Sequence, residues 1–169
     1  MNTKANKMEN TEIERKFLVL SDAYKAIAES RSEIVQAYLM CDDERSLRVR
    51  IRGGKGFITF KAERHATAAH SGTAAANRFE WEHEIPAEEA RALISQALPG
   101  IIEKTRYIVE YEGHTWEVDE FHGANEGLTM AEIELDDENE PFAKPAWLGK
   151  EVTGDPAYLN CNLHHRAQG

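Results

Sequence analysis

Cysteine is nearly absent. The 169 residues include only Cys41 and Cys161, far apart and in no CxxC pair, which excludes a zinc knuckle and a dithiol redox motif. That usage fits a reduced, cytoplasmic setting. No apolar run approaches the roughly 20 residues that span a bilayer. Residues 1–10 are polar and lack the apolar stretch of a secretory signal; they read as a disordered tail ahead of one domain, residues 11–169. Positive charge is also in deficit, with 20 Lys and Arg against 30 Asp and Glu and a net charge of −10. Such a balance disfavours nucleic acid or an anionic membrane as partner. It leaves room for a small anion in a basic pocket. A Gly-rich P-loop is missing too, so any phosphate binding here needs another solution.

What the chain does contain is alternation. Hydrophobic residues make up 41% of it, enough for a core. Apolar and polar residues alternate over Glu12–Leu20, Glu33–Met40, Ser46–Arg52, Phe57–Ala62, Arg78–Ile85, Thr105–Tyr111, His114–Phe121 and Thr129–Leu135, the pattern of half-buried strands. Gly53-Gly54 and Glu112-Gly113 mark tight hairpins. Short helices are expected over Ala23–Glu29, capped by Ser21 or Asp22, and over Ala87–Leu98, opened by Pro86 with Glu88 and Glu89 in its first turn. Pro141–Leu148 reads as a helical turn and Asp155 to Leu163 as a last helix. Residues 62–77, rich in Ala, Thr, His, Ser and Gly, read as a long mobile loop. The fold class is α+β, with antiparallel strands numerous enough to close into an eight-stranded barrel flanked by helices.

One face of these strands is charged. In the first, Glu12, Glu14 and Lys16 share a side. Arg48 and Arg50 alternate in the same way, as do Thr59 and Lys61, Lys104 and Arg106, Glu117 and Asp119, Glu132 and Glu134, and the run Glu80, Glu82, Glu84. For any single strand a solvated sheet face explains this. Across the set, whole strands carry one sign, where a wet face mixes signs to avoid like-charge neighbours. Segregation of that kind costs stability unless ligands neutralise each cluster. Divalent cations suit the acids and a polyanion suits the bases.

The ordered set of motifs resembles the CYTH, or triphosphate tunnel metalloenzyme, superfamily, in its small single-domain bacterial form. The resemblance rests on ExExK at Glu12–Lys16, QxYL at Gln36–Leu39, Leu47-Arg48-Val49-Arg50, Thr59-Phe60-Lys61, Arg78-Phe79-Glu80-Trp81-Glu82, Lys104-Thr105-Arg106-Tyr107, Trp116-Glu117-Val118-Asp119, Ala131-Glu132-Ile133-Glu134 and Trp147–Thr153. It implies an eight-stranded antiparallel barrel that forms a triphosphate tunnel, and Mg²⁺- or Mn²⁺-dependent hydrolysis of inorganic triphosphate to pyrophosphate and phosphate. By the same resemblance Glu12, Glu14, Asp119, Glu132 and Glu134 are metal ligands. Lys16, Arg48, Arg50, Lys61, Lys104 and Arg106 grip phosphate, while Arg78, Glu80, Glu82 and Glu117 line the tunnel. Tyr38 beside Lys61 is the catalytic pair, one of the two taking a proton from the attacking water. A deprotonated Tyr or Lys in that role implies an alkaline optimum.

Alternatives remain within and outside the enzyme class. An adenylate cyclase, a nucleoside or thiamine triphosphatase, and a non-catalytic polyphosphate or nucleotide sensor all use a charged tunnel. The state expected is monomer or homodimer. His65, His70, His114 and His122 read as solvated, and the adjacent His164 and His165 make a poor metal pair. Trp81, Trp116 and Trp147 are expected to pack between barrel and helices, and the C-terminal segment to pack rather than plug.

Overall fold

The computed structural model describes residues 11–63, 76–160, 162 and 163. Nine strands form one sheet: β1 (Thr11–Val19), β2 (Ser30–Cys41), β3 (Arg45–Arg52), β4 (Lys55–Glu63), β5 (Ala76–Ile85), β6 (Ile102–Tyr111), β7 (His114–Phe121), β8 (Thr129–Glu134) and β9 (Leu148–Glu151). Their order is β5-β4-β3-β2-β6-β7-β8-β1-β9, and β1 also pairs with β5. The first eight strands therefore close on themselves as an antiparallel barrel, and β9 adds to the far end of β1. Closure removes the open edges an eight-stranded sheet would otherwise present.

Both hairpin signals hold. Gly53 and Gly54 turn β3 into β4 with φ of 57° and 77°, and Glu112 and Gly113 turn β6 into β7 with φ of 49° and 81°. Two successive positive φ angles match the twist of the flanking strands; Glu112 takes a conformation usually left to Gly or Asn. Helix α1 (Ala87–Ser95) follows Pro86 with Glu88 and Glu89 in its first turn and ends earlier than Leu98. It packs on the outer face of the barrel, where Ala90 is fully buried.

Other expectations shift. Residues Asp22–Ala26 form a 3-10 helix rather than an α-helix through Glu29. Residues 141–147 are irregular, and the chain enters β9 instead of making a helical turn. After the 3-10 turn Pro156–Tyr158 the chain curls so that Leu163 N–H donates to the Leu159 carbonyl. The strands on either side of the expected 62–77 loop extend to Glu63 and begin at Ala76. The rest of that loop, with His65 and His70, lies outside the described residues, as do the tail 1–10, Cys161, His164 and His165. Cys41, expected reduced, is disulfide-bonded. Among the described residues no helix is long and apolar enough to cross a membrane.

The barrel is inverted relative to an ordinary core. Its main apolar cluster lies on the outer face, where Phe17, Tyr107, Trp116, Val118, Ile133 and Trp147 pack beneath the 3-10 helix and the β8–β9 connection. Trp116 meets Trp147 edge-to-face at 5.9 Å and Phe17 at 5.7 Å, a favoured aromatic geometry. Trp81 departs from expectation: it is 44% exposed and stacks on His83 instead of packing under a helix. A smaller cluster of Tyr38, Ile102, Phe121, Met130 and Leu163 belongs to the inner face and fills one end of the barrel. The C-terminal segment, expected to pack rather than plug, instead seats Leu163 in that end of the barrel.

Gly56 on β4 has a structural reason to lack a side chain. A Cβ there would lie 2.6 Å from the Ala90 Cβ and 2.9 Å from the Ile85 carbonyl oxygen. Replacing Gly56 by Ala should push α1 off the barrel at a cost of ~1–3 kcal/mol. A drop of several degrees in the thermal midpoint is expected; an unchanged midpoint would show that α1 is not seated this tightly.

Candidate active site

Alternation along each strand turns the charged faces inward, because the intervening residues fill the outer core. On β1, Phe17 faces out and Glu14 and Lys16 face in; on β7, Trp116 and Val118 face out and Asp119 faces in. Register then decides which charges meet. Glu12 lies opposite Arg78, Lys16 opposite Glu132, Arg106 opposite Asp119, Lys61 opposite Glu80, and Thr59 opposite both Arg48 and Glu82.

The single-sign strands are consequently interleaved. Asp119 takes Arg106 in a two-pronged pair at 2.7 and 2.8 Å and Lys104 at 2.6 Å. Lys61 reaches both oxygens of Glu12 at 2.8 and 2.7 Å, and Glu80 at 3.7 Å. Arg78 donates to Glu14 at 2.8 Å, and Lys16 sits 3.2 Å from Glu132. Arg50 donates to Glu82 at 3.0 Å, Thr59 donates to the same carboxylate at 2.7 Å, and Arg48 donates to Thr59 at 3.2 Å. Arg106 also pairs with Glu117. The segregation expected from the sequence is real along each strand but is undone across strands, where the protein neutralises its own charge. All the residues expected to line a tunnel do reach the inner face.

The pairing does not extend evenly. At the end where the β6–β7 turn meets the end of β8, a cavity of about 390 Å³ is walled by Glu12, Glu14, Glu117, Glu132 and Glu134. Burial and the neighbouring Glu132 push the Glu14 carboxyl above its usual range. Burial, then Glu12, Glu117 and Glu14, do the same to Glu134. By contrast Glu132 is driven low: burial opposes its charge, but Lys16, Arg106 and Lys104 outweigh it. The carboxylates near the cavity repel one another, and that is the environment a cation relieves. Among the described residues they do not form a ready-made cage for a metal ion.

The opposite end is mixed in charge, with cations deep in the wall and acids at the rim. β2 and β6 run antiparallel, so the β2–β3 turn lies at the other end of the barrel from the β6–β7 turn. There a narrow cavity of about 70 Å³ is lined by Tyr38, Arg48, Thr59, Lys61 and Arg78, by Asp42, Asp43 and Glu44 of the β2–β3 turn with Arg45 at the start of β3, and by Leu159 and Asn160 of the C-terminal segment. Tyr38 and Lys61 thus share one wall. Burial raises the Tyr38 phenol. Burial works against the Lys61 ammonium, but Glu14 and Glu12 raise it overall.

Several site groups escaped the sequence reading. Thr59 was read only as spacing for Lys61, yet it is buried and links Arg48 to Glu82. Thr153 accepts the Lys16 backbone N–H at 2.9 Å and donates to Glu151, which holds Arg15. That clamp fixes the backbone from which Glu14 and Lys16 project. His114, expected to be solvated, bonds Glu140 at 2.9 Å and lines the acidic cavity. Only the tertiary fold brings these groups together.

A profile of the CYTH domain family matches residues 10–159. An inorganic triphosphatase of Acetivibrio thermocellus is 49% identical over 153 residues, 90% of this chain and 92% of the relative. An inorganic triphosphatase of Nitrosomonas europaea is 33% identical over 154 residues, 89% and 94% of the two chains. A crystal structure of an inorganic triphosphatase, 32% identical, superposes with a TM-score of 0.63 over 90% of this chain and 93% of that chain.

Asp119 gives a direct test of the pairing. Burial opposes its charge, yet Arg106 and Lys104 hold its carboxyl down to about 2, against 3.8 for an ordinary aspartate. A depressed carboxylate stabilises the fold above its unfolded value and loses that contribution as pH falls through its folded value. Asp119→Asn strands two buried cations and should cost about 3–5 kcal/mol at pH 7. The gap to the parent protein, read from urea midpoints, should shrink between pH 4 and 2. A gap that stays constant across that range would contradict the pairing.

Proposed function

This chain belongs to the CYTH domain family, and we propose that it hydrolyses inorganic triphosphate to pyrophosphate and orthophosphate inside the barrel. The observation that carries this reading is the closed inner wall, on which Lys16, Arg48, Arg50, Lys61, Lys104 and Arg106 face the same interior as a crowd of carboxylates. The names and near full-length similarity of the two bacterial relatives support the substrate.

The carboxylates fit a hard divalent cation. Glu12, Glu14, Glu132 and Glu134 offer only oxygen donors, which Mg²⁺ and Mn²⁺ prefer, and the raised Glu14 and Glu134 lie where added positive charge is rewarded. Asp119 is the weakest of the expected ligands, since two cations, Arg106 and Lys104, hold it and it does not line the acidic cavity; its role in this reading is to aim those two cations. A bound metal would offset phosphate charge and polarise the phosphoryl oxygens.

The wall residues do the rest. Lys61, Arg78 and Lys16 hold Glu12, Glu14 and Glu132 in the free protein. Triphosphate oxygens compete for these cations, and the Arg groups add forked donors. A water oxygen then bonds the terminal phosphorus, the bridging P–O bond breaks, and pyrophosphate leaves with the electron pair. The water proton passes to Tyr38 or Lys61, whichever is deprotonated. Both groups are raised, so the base form grows only as pH climbs, and the rate should rise from neutral into the alkaline range. A profile flat between pH 6 and 9 would remove the pair from the proton transfer.

Orthophosphate release should be fast from tripolyphosphate with Mg²⁺ or Mn²⁺, abolished by chelator, and at least a hundredfold slower in Glu132→Gln. If ATP turns over far faster than tripolyphosphate, or chelator has no effect, the reading fails in substrate or metal respectively.

A further inference from the structure

Gln36 is a neutral polar residue in a wall rich in charge. It lies on β2 two residues before Tyr38, alternates with Ala37, and stands opposite Arg50 on one side and Ile102 on the other. Ile102 and Tyr38 both belong to the inner-face cluster, so Gln36 faces the interior too. It is 0% exposed. Among the described residues neither its Oε1 nor its Nε2 has a hydrogen-bond partner. Across the strand pair, Arg48 and Arg50 each leave a buried Nε unpartnered as well, although their terminal nitrogens are bonded.

A buried amide with both ends unpaired loses its hydration for nothing in return, and native proteins hold few such groups. The unpartnered indole nitrogens of Trp116 and Trp147 lie in the outer core, whereas Gln36 faces the interior on which the wall cations converge. The wall cations only donate hydrogen bonds, whereas an amide both donates and accepts. It adds a directional donor to an anion site without adding charge, and its carbonyl accepts from the hydration water of that anion.

We propose that Gln36 is a substrate-contacting residue: its Nε2 donates to a phosphoryl oxygen of the bound triphosphate at the level of Arg48 and Arg50. This rests on the triphosphatase reading for the identity of the ligand. It sets Gln36 apart from the structural residues around it, because its hydrogen bonds are completed by the ligand and not by the fold.

The test uses the full chain, with Gln36→Met, which keeps the volume and removes both polar atoms, and Gln36→Glu, which keeps the acceptor and neutralises Arg50. Thermal midpoints are read with and without tripolyphosphate, and hydrolysis is followed alongside. Gln36→Met should melt no lower than the parent in the absence of ligand, since no internal bond is lost. Its midpoint shift on adding tripolyphosphate should be smaller and its KM about tenfold higher. Gln36→Glu should weaken binding further. A Gln36→Met protein whose ligand shift and KM both match the parent overturns the proposal, and so does one that is destabilised without ligand but binds normally, which would make Gln36 structural. If the parent binds tripolyphosphate but does not hydrolyse it, the triphosphatase reading falls while the difference in ligand shift still decides Gln36.

Discussion

Closing a barrel around charge forces the ions most deeply buried inside it to find partners. Lys104, Asp119 and Arg106 are almost wholly removed from water, and an isolated charge there is far too costly to persist. Cross-strand register is what meets the demand. With Arg106 opposite Asp119 and Lys16 opposite Glu132, these two cations meet carboxylates on neighbouring strands, while Arg50 on β3 reaches across β4 to Glu82 on β5. A slip of one residue would turn the charges into the aromatic outer core and bring Phe17 and Val118 inside. The ion pairs therefore fix register, and register fixes closure.

This constraint also decides where the hydrophobic core goes. A polar interior cannot supply the burial that folding requires, so the apolar faces point outward and must be covered. The 3-10 helix places Tyr24 against Tyr107 and Trp147, and the β8–β9 connection lays Phe142 on Phe17 and Trp116. β9 closes this cover by pairing with β1, and Arg15 and Glu151 lock it from outside the barrel. The same strand that carries the inward acids is held from behind by its outward Arg. Shape and site are two faces of one strand.

Period-2 alternation made the eight barrel strands and their inward sets legible, since it depends only on the local chain. Register was not, and so the interleaving of Arg50 with Glu82, or Lys61 with Glu12, stayed hidden behind the apparent segregation of sign. β9 was missed because Leu148–Glu151 is too short to show alternation. Trp81 was misread because aromatic content does not say which outer face a helix covers; α1 lies over β2 to β4 and leaves Trp81 uncovered. Gln36 stood out in the sequence only as the first residue of the QxYL motif, with no role assigned to it. Its meaning depends on having no hydrogen-bond partner among the described residues, in a wall where Arg48 and Arg50 beside it are bonded through their terminal nitrogens.

Self-neutralisation bears on how such a wall can turn over. Buried ion pairs are weak sources of stability, and apolar residues of similar volume often serve a fold better. Their retention here points to what they exchange with. A wall of unpaired cations would hold a polyanion, and its pyrophosphate product, too tightly to release either. Because Glu12, Glu14, Glu82 and Glu132 already occupy Lys61, Arg78, Arg50 and Lys16, an entering phosphate chain must displace carboxylates, and a leaving one is replaced by them. Part of the binding energy is thereby cancelled in the ground state. What remains is directed to charge that the carboxylates cannot match, the charge that develops as the bridging bond breaks. Three of the acids that compete with phosphate, Glu12, Glu14 and Glu132, also wall the acidic cavity, so displacement frees oxygen donors where a cation is most favoured. On this reading the two signs of the wall are one device, and neither is fully available until the other is engaged.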